Sequence, residues 1–390
     1  MTPLLRGAIL AAGLAGANFP AAQAQPGALS DLADELQRIQ ARLAAGDKGA
    51  YPDELKQLKA MGAVVAAATP DVWRDRREVD SLVLYVLSGG AMTDAAPLVK
   101  GDVILESECG LARGAVAYIT NHEADALELL GKLDLNALDL RIAGPVAFAL
   151  SVLNSKRDPK AAIFFLDWAR LVAPGGLVEE AALRREIALI AEAGDTPRLA
   201  GLTRQYATRF AASPYVVDLF RELAHAIARF GLADDSANFQ LLSGAAASLP
   251  PEVRRDFLLT LAKSAIINAR FGAAAAAGAE ALHEAPANSQ DEARARLYLD
   301  ASRLLSEGYD SARADLQSLA AVRLDRSDAA LLAAVRNVAV KLRTALSLSA
   351  VDAQAGASGQ EPGADQTIEH AEEALKRTES MASIGAGASP

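Results

Sequence analysis

Turn signals recur along this chain at a nearly constant interval, and that interval constrains the fold more than any single motif does. "ITNHEADALELL" turns near Asn121, "NSKRDPKAAIFFL" near Arg157 and "AEAGDTPRLAGL" at Gly194. "ARFGLADDSANFQLL" follows at Gly231, "ARFGAAAAAGAEAL" at Gly272 and "SEGYDSARADLQSL" at Gly308, so the steps are 36, 37, 37, 41 and 36 residues. A helix-like segment stands on each side of every turn. Second breaks close the hairpins at Ala173-Pro174-Gly175-Gly176, Ser213-Pro214 and Leu249-Pro250-Pro251. Gly past a helix end and Pro in the first turn of the next helix are the expected stop and start residues. A period in the upper thirties built from paired helices predicts an α-solenoid of tetratricopeptide-like (TPR-like) helical hairpins.

Composition agrees with an all-α fold. Apolar residues make up 51% of the chain but aromatics only 5%, with alanine and leucine dominant. These side chains lose little rotamer freedom in a helix. "SDLADELQRIQARLAAGD" (30–47) reads as an amphipathic helix, and "DVWRDRREVDSLVLYVLSGG" (71–90) as a helix capped by Asp71 and stopped at Gly89-Gly90. Four regions are expected: a signal peptide over 1–24, an N-terminal helical region over 25–113, the hairpin array over 114–348, and a tail over 349–390. The tail is Gly-, Ala-, Ser- and Asp-rich and reads as disordered apart from a short helix at 366–378.

The first 24 residues read as an export signal. Arg6 supplies the positive start, Ala8 to Ala17 form an apolar run, and Ala22-Gln23-Ala24 is an A-x-A cleavage site, so processing is expected after Ala24. That run is too short to span a bilayer, and a soluble periplasmic protein is expected. Cys109 is the single cysteine, which excludes an internal disulfide; the bland reading is a buried inert thiol, the sharper one a bridge to a partner.

The stretch "LVAPGGLVEEAALRREIALIAEAGD" (171–195) places paired carboxylates and paired arginines in an apolar run. On a helical wheel, Val178, Ala182, Leu189 and Ala193 share one sector, and Leu183, Ile187 and Ile190 share a second. Two apolar stripes suit a helix that packs on its own partner and on the next repeat. Glu179 and Glu186 fall on the narrow strip between the sectors, Glu180 and Arg184 flank the second, and Arg185 lies beside Glu192. These charges read as the wet edges of a packed helix, worth a few tenths of a kcal/mol per pair, and single alanine changes there are expected to cost ~0–1 kcal/mol.

No catalytic, cofactor-binding or metal-binding residues are assigned. His122, His225, His283 and His370 are far apart in sequence and lack zinc-ligand spacing. Walker, dinucleotide-binding and G-x-S-x-G patterns are absent from the sequence. Glu179 with Glu186 is the one carboxylate pair at a spacing a glycosidase could use, and no aromatic sugar platform stands beside it. With a formal net charge of −10 and no basic stripe, nucleic acid is a poor partner. Half of that net charge lies on residues 351–390, where seven carboxylates face two cations. Trp73, Trp168, Phe164, Phe165, Tyr206, Phe210, Tyr215 and Phe220 fall at helix-pairing positions; most read as core, one or two as anchors for a protein partner.

"VWRDRREVDSLVLYVLSGG" (72–90), "GAVAYITNHEADALELLGKLD" (114–134), "DPKAAIFFLDWARLVAPGGLVEEAALRRE" (158–186) and "LTRQYATRFAASPY" (202–215) occur in that order behind the signal segment. Together they resemble the MotC family, periplasmic motility proteins of the flagellar motor in rhizobia and related bacteria. The resemblance implies a non-enzymatic component needed for flagellar rotation, with no cofactor or small-molecule substrate, that acts beside the stator and contacts the periplasmic part of MotB. Two other classes share features with the chain. A lytic transglycosylase can carry an α-solenoid, but no segment after residue 250 reads as its catalytic domain. A general adaptor in cell-envelope assembly would use the same fold.

Overall fold

The computed structural model describes residues 27–100, 103–104, 106–304, 309–319 and 324–357. The signal segment, the Gly308 turn and the 366–378 helix expected from the sequence lie outside these residues. Among the described residues there are seventeen α-helices and no strand. The chain divides into two compact units, Met1–Arg303 and Leu304–Pro390.

The first unit contains α1 (Ala28–Ala44), α2 (Ala50–Ala67), α3 (Arg76–Leu87), α4 (Met92–Lys100), α5 (Glu106–Ile119), α6 (Glu123–Leu130), α7 (Leu140–Asn154) and α8 (Pro159–Val172). It continues with α9 (Leu177–Ala193), α10 (Thr196–Arg209), α11 (Val216–Phe230), α12 (Ser236–Ala245), α13 (Pro251–Ile267), α14 (Phe271–Glu284) and α15 (Gln290–Arg303). Helices α7, α9, α11, α13 and α15 pack each on the next as one layer, and α10, α12 and α14 stack behind them as a second. Helix α8 pairs with α7 and α9. This is the hairpin array that the turn spacing predicts.

Its local causes repeat as well. Helices α9 and α11 end on left-handed glycines, Gly194 at φ 76° and Gly231 at φ 68°. The following helices start from aspartate caps: Asp195 accepts from Arg198 N at 3.1 Å and Asp235 from Asn238 N at 2.8 Å. Asp158 caps α8 in the same way through Ala161 N at 3.0 Å. Such a cap satisfies an otherwise orphaned N–H and contributes about 1 kcal/mol. The turn expected at Gly272 falls earlier, at Ala269, which adopts φ 56° without being glycine, and Gly272 is already inside α14. The aromatic side chains form a ladder through the layers: Tyr206 lies 6.3 Å from Phe220, which meets Phe257 edge-on at 5.5 Å.

The N-terminal helices are part of the same unit. Helix α3, with Val79 to Val86 all buried, packs on α1, α5 and α7. Its start differs from the sequence expectation: Pro70–Arg74 form a 3₁₀ turn, and Asp75 rather than Asp71 caps α3 by accepting from Arg77 N at 2.9 Å. Proline at the head of that turn tightens it, which moves the helix start by one turn. Helix α1 reaches α9, where its Ile39 and Leu43, with Ala50 at the start of α2, cover Leu177. Cys109 is half-buried and its thiol faces Ile104 O at 3.3 Å.

In the second unit, α16 (Tyr309–Ser318) packs on α17 (Arg326–Ala357), and Arg336 donates to Leu316 O at 2.6 Å, closing an orphan carbonyl at the α16 end. Helix α17 continues to Ala357, beyond residue 349 where the unstructured tail was expected to begin. Its run of Ala, Leu and Val keeps helical propensity past that point.

Candidate interaction surface

The charges on α9 are not wet edges. Glu179, Glu180 and Glu186 are all buried, and Arg184 and Arg185 are half-buried. The wheel's second sector is buried throughout, at Leu183, Ile187 and Ile190; of its first sector Ala182 is buried, Val178 and Leu189 are half-buried and Ala193 is exposed. The charged strip therefore lies in the seam where α8 and α10 pack on α9. Each carboxylate there takes cations or donors from other helices. Glu179 accepts from Arg209 at 2.8 Å, Gln205 at 3.2 Å and Gly175 N at 2.5 Å. Glu186 accepts from Arg198 at 2.7 Å and pairs with Arg170 at 2.8 Å. Glu180 accepts from Tyr206 at 2.6 Å, Ser213 at 3.1 Å and Arg184 at 3.0 Å.

Burial raises the Glu186 carboxyl above its ordinary range, against the opposing fields of Arg170 and Arg198. Burial likewise raises the Tyr206 hydroxyl, with the Glu180 charge adding to it. Arg185 does not lie against Glu192; it donates to Ser155 Oγ at 3.2 Å, and burial holds its guanidinium below the usual value. Buried ion pairs of this kind lock the register between helices while contributing little net stability. With every one of these carboxylates engaged by arginine, tyrosine or backbone donors, the Glu179 and Glu186 pair is a structural joint.

The surface on the array's first layer is different. Arg184 lies over the Tyr215 ring at 4.2 Å from its centroid, a cation–π contact that fixes a partly exposed aromatic. Burial raises the Tyr215 hydroxyl, Arg184 opposes that, and the charges of Glu54 and Tyr51 on α2 add to it, so α2 borders the same spot. Tyr51 and Leu55, one turn apart on α2, are both exposed. From Arg184 a groove of about 260 Å³ runs between α9 and α11, floored by Ile187, Leu219 and Leu223 and rimmed by Glu222, His225 and Phe230. His225 Nδ1 lies 2.7 Å from Ser264 Oγ of α13, which ties the groove wall to the next hairpin. Partly exposed aromatics and arginine held rigid by their neighbours are the usual anchors of protein interfaces.

Of the eight aromatics singled out from sequence, Trp73, Tyr206, Phe210 and Phe220 are core, Phe165 and Trp168 are half-buried, and Phe164 and Tyr215 reach the surface. Tyr51, Leu55 and Phe230 were missed, because their exposure depends on which helix covers which. Among the described residues no three His, Cys, Asp or Glu side chains gather as a metal site requires, and no helix is long and apolar enough to cross a membrane.

Fold and surface together define an array of helical hairpins of the α-solenoid class, whose ionisable clusters serve packing and whose exposed anchors suit a macromolecular partner. The chain belongs to the MotC family: the family profile, described as Chemotaxis protein MotC, matches residues 2–387. It is similar to the Chemotaxis protein MotC of Rhizobium meliloti (strain 1021), at 30% identity over 309 residues, which cover 78% of this chain and 70% of that protein. No solved structure matches. The family places the chain among chemotaxis and motility proteins.

Proposed function

We propose that this protein is a non-enzymatic periplasmic component required for rotation of the flagellar motor, which binds the periplasmic part of the stator protein MotB and controls coupling or energy flux. The observation that carries this reading is the family match from end to end. The Arg184–Tyr215 surface supports it by offering rigid anchors to a protein partner. The export signal supports the location: a scaffold cleaved after Ala24 and released outside the cytoplasm reaches the stator's periplasmic domain and not the cytoplasmic rotor.

A deletion strain tests the reading. It is expected to assemble filaments of normal appearance that do not turn, and a copy lacking residues 2–24 is expected not to restore swimming. N-terminal sequencing of the periplasmic protein is expected to begin at Gln25. A deletion strain that swims, or one that makes no filaments, overturns the motor assignment in favour of a general envelope adaptor.

A further inference from the structure

Helix α8 carries an apolar stripe on its outer face. Phe164 is 59% and Leu171 74% exposed, Trp168 is half-buried between them, and the three fall at i, i+4 and i+7. At 1.5 Å per residue the stripe runs about 10.5 Å along the helix. The opposite face holds Ala162, Leu166 and Ala169, all buried, and Trp168 packs in part against the core cluster that includes Leu166 and Ala169, so the uncovered apolar surface of α8 is Phe164 and Leu171 with the outer part of Trp168 between them. Phe164 is held in place, since its ring meets Phe165 edge-on at 5.5 Å, and Phe165 packs against the core of the N-terminal helices.

The charges around this stripe are one-sided. Lys156, Arg157 and Lys160, all exposed at the α7–α8 turn and the first turn of α8, form no ion pair among the described residues. Asp158 in their midst is used up as the α8 cap. Asp167, the acid beside the stripe, is bound by Arg170 at 2.5 Å and by Arg198 at 2.8 Å. The result is a short apolar rail with a positive N-terminal end, to which the helix dipole adds in the same sense.

The geometry points to a docking site on α8 for an amphipathic helical segment of a protein partner, one with apolar residues at i, i+4 and i+7 and acidic residues at the end that meets Lys156, Arg157 and Lys160. Helices lying along a helix face bind through anchors at this spacing. Charge complementarity at one end sets the direction and register of docking. An anionic membrane fits less well, because it would call for cations distributed around the apolar residues rather than at one end. The surface goes beyond the motility reading and does not depend on it.

The test titrates the full mature chain with a synthetic helical peptide of about 18 residues carrying leucines at i, i+4 and i+7 and three glutamates in one terminal turn. Anisotropy of the labelled peptide reads binding, and protein emission reads the site: Trp73 is fully buried, so a shift on binding belongs to Trp168. Saturable binding below about 100 µM with a shift in Trp168 emission is expected. Leu171→Ser and a Lys156→Glu/Lys160→Glu pair should each weaken it at least tenfold, with the circular dichroism of both variants unchanged. A peptide with lysines in place of the glutamates should bind at least tenfold more weakly. The proposal is overturned if the acidic peptide does not bind, or if the variants bind it as tightly as the parent. It is equally overturned if phosphatidylglycerol vesicles bind through these residues while the peptide does not, or if light scattering shows a dimer that Leu171→Ser dissolves. None of these outcomes bears on whether a deletion strain swims, so the two readings fail separately.

Discussion

The Tyr206 hydroxyl donates to Glu180 at 2.6 Å from α10 to α9, and both side chains are fully buried. The carboxylate also accepts from Ser213 in the α10–α11 link and pairs with Arg184 on its own helix. One residue therefore joins a hairpin to the start of the next. Removing Glu180 strands the buried hydroxyls of Tyr206 and Ser213 and leaves the half-buried Arg184 guanidinium without its carboxylate. Glu180→Ala is expected to cost about 3–5 kcal/mol, the range for breaking a buried ion pair from one side. Tyr206→Phe, which leaves the carboxylate two other donors, should cost about 1–2 kcal/mol. Urea melts check the order; a Glu180→Ala variant within about 1 kcal/mol of the parent would restore the wet-edge reading of these charges.

Leu183 and Ile187 fill the second apolar stripe of α9 and are buried beneath its charges. Truncation leaves a cavity that a helix braced on both sides closes only in part. Leu183→Ala and Ile187→Ala are each expected to cost about 2–5 kcal/mol. Denaturant melts in which either variant matches the parent would show that the inter-helix seam can collapse.

Two glycines share a backbone conformation but not their surroundings. Gly46 in the α1–α2 turn has φ 91° and Gly89 after α3 has φ 94°. A Cβ on Gly46 would stand 2.2 Å from Ala212 O, while one on Gly89 meets nothing within 4 Å. Gly89→Ala therefore reports the left-handed strain alone, about 1 kcal/mol. Gly46→Ala adds a clash with backbone and should cost a further ~1–3 kcal/mol, while loosening the α1–α2 turn from the α10–α11 link. Thermal melts of the two variants side by side measure the difference, and equal losses would mean that this contact gives way without cost.

The array was legible because its stop and start signals are local. A glycine such as Gly194 or Gly231 and a capping aspartate such as Asp195 or Asp235 act within one turn, whatever packs on them later. The apolar sectors of α9 were legible for the same reason, since a helix fixes the angle between Leu183 and Ile187. The burial of Glu179, Glu180 and Glu186 was not. It depends on Arg209, Tyr206, Arg198 and Arg170, which arrive from α10 and α8, and a wheel drawn for one helix has no place for them. The surface anchors were hidden in the same way: Phe164 and Phe165 are adjacent and chemically identical, and only the packing of α8 on α7 decides which of them faces water. Likewise α1 and α2 read as a separate N-terminal region, although α1 packs on Leu177 and Gly46 meets Ala212.

Asp80 makes part of the fold's stability depend on pH. It is buried on α3, its Oδ1 has no hydrogen-bond partner among the described residues, and burial pushes its pKa from 3.8 up to about 6. Arg76 and Arg141 oppose that rise, while Asp139 and Glu108 add to it. The folded state thus holds the Asp80 proton more tightly than the unfolded chain does. The advantage of the protonated form is complete below about 3.8 and is lost as pH rises through about 6. At roughly 1.4 kcal/mol per unit, the ionised group costs the fold up to about 3 kcal/mol above that window. Asp80→Asn keeps the shape and removes the charge. It should stabilise the protein by about 1–3 kcal/mol at a pH near 7.5 and by little at a pH near 4. Urea melts of parent and variant at both pH values provide the check: a gain of the same size at both would mean that the Asp80 carboxyl binds its proton equally well in the folded and the unfolded chain.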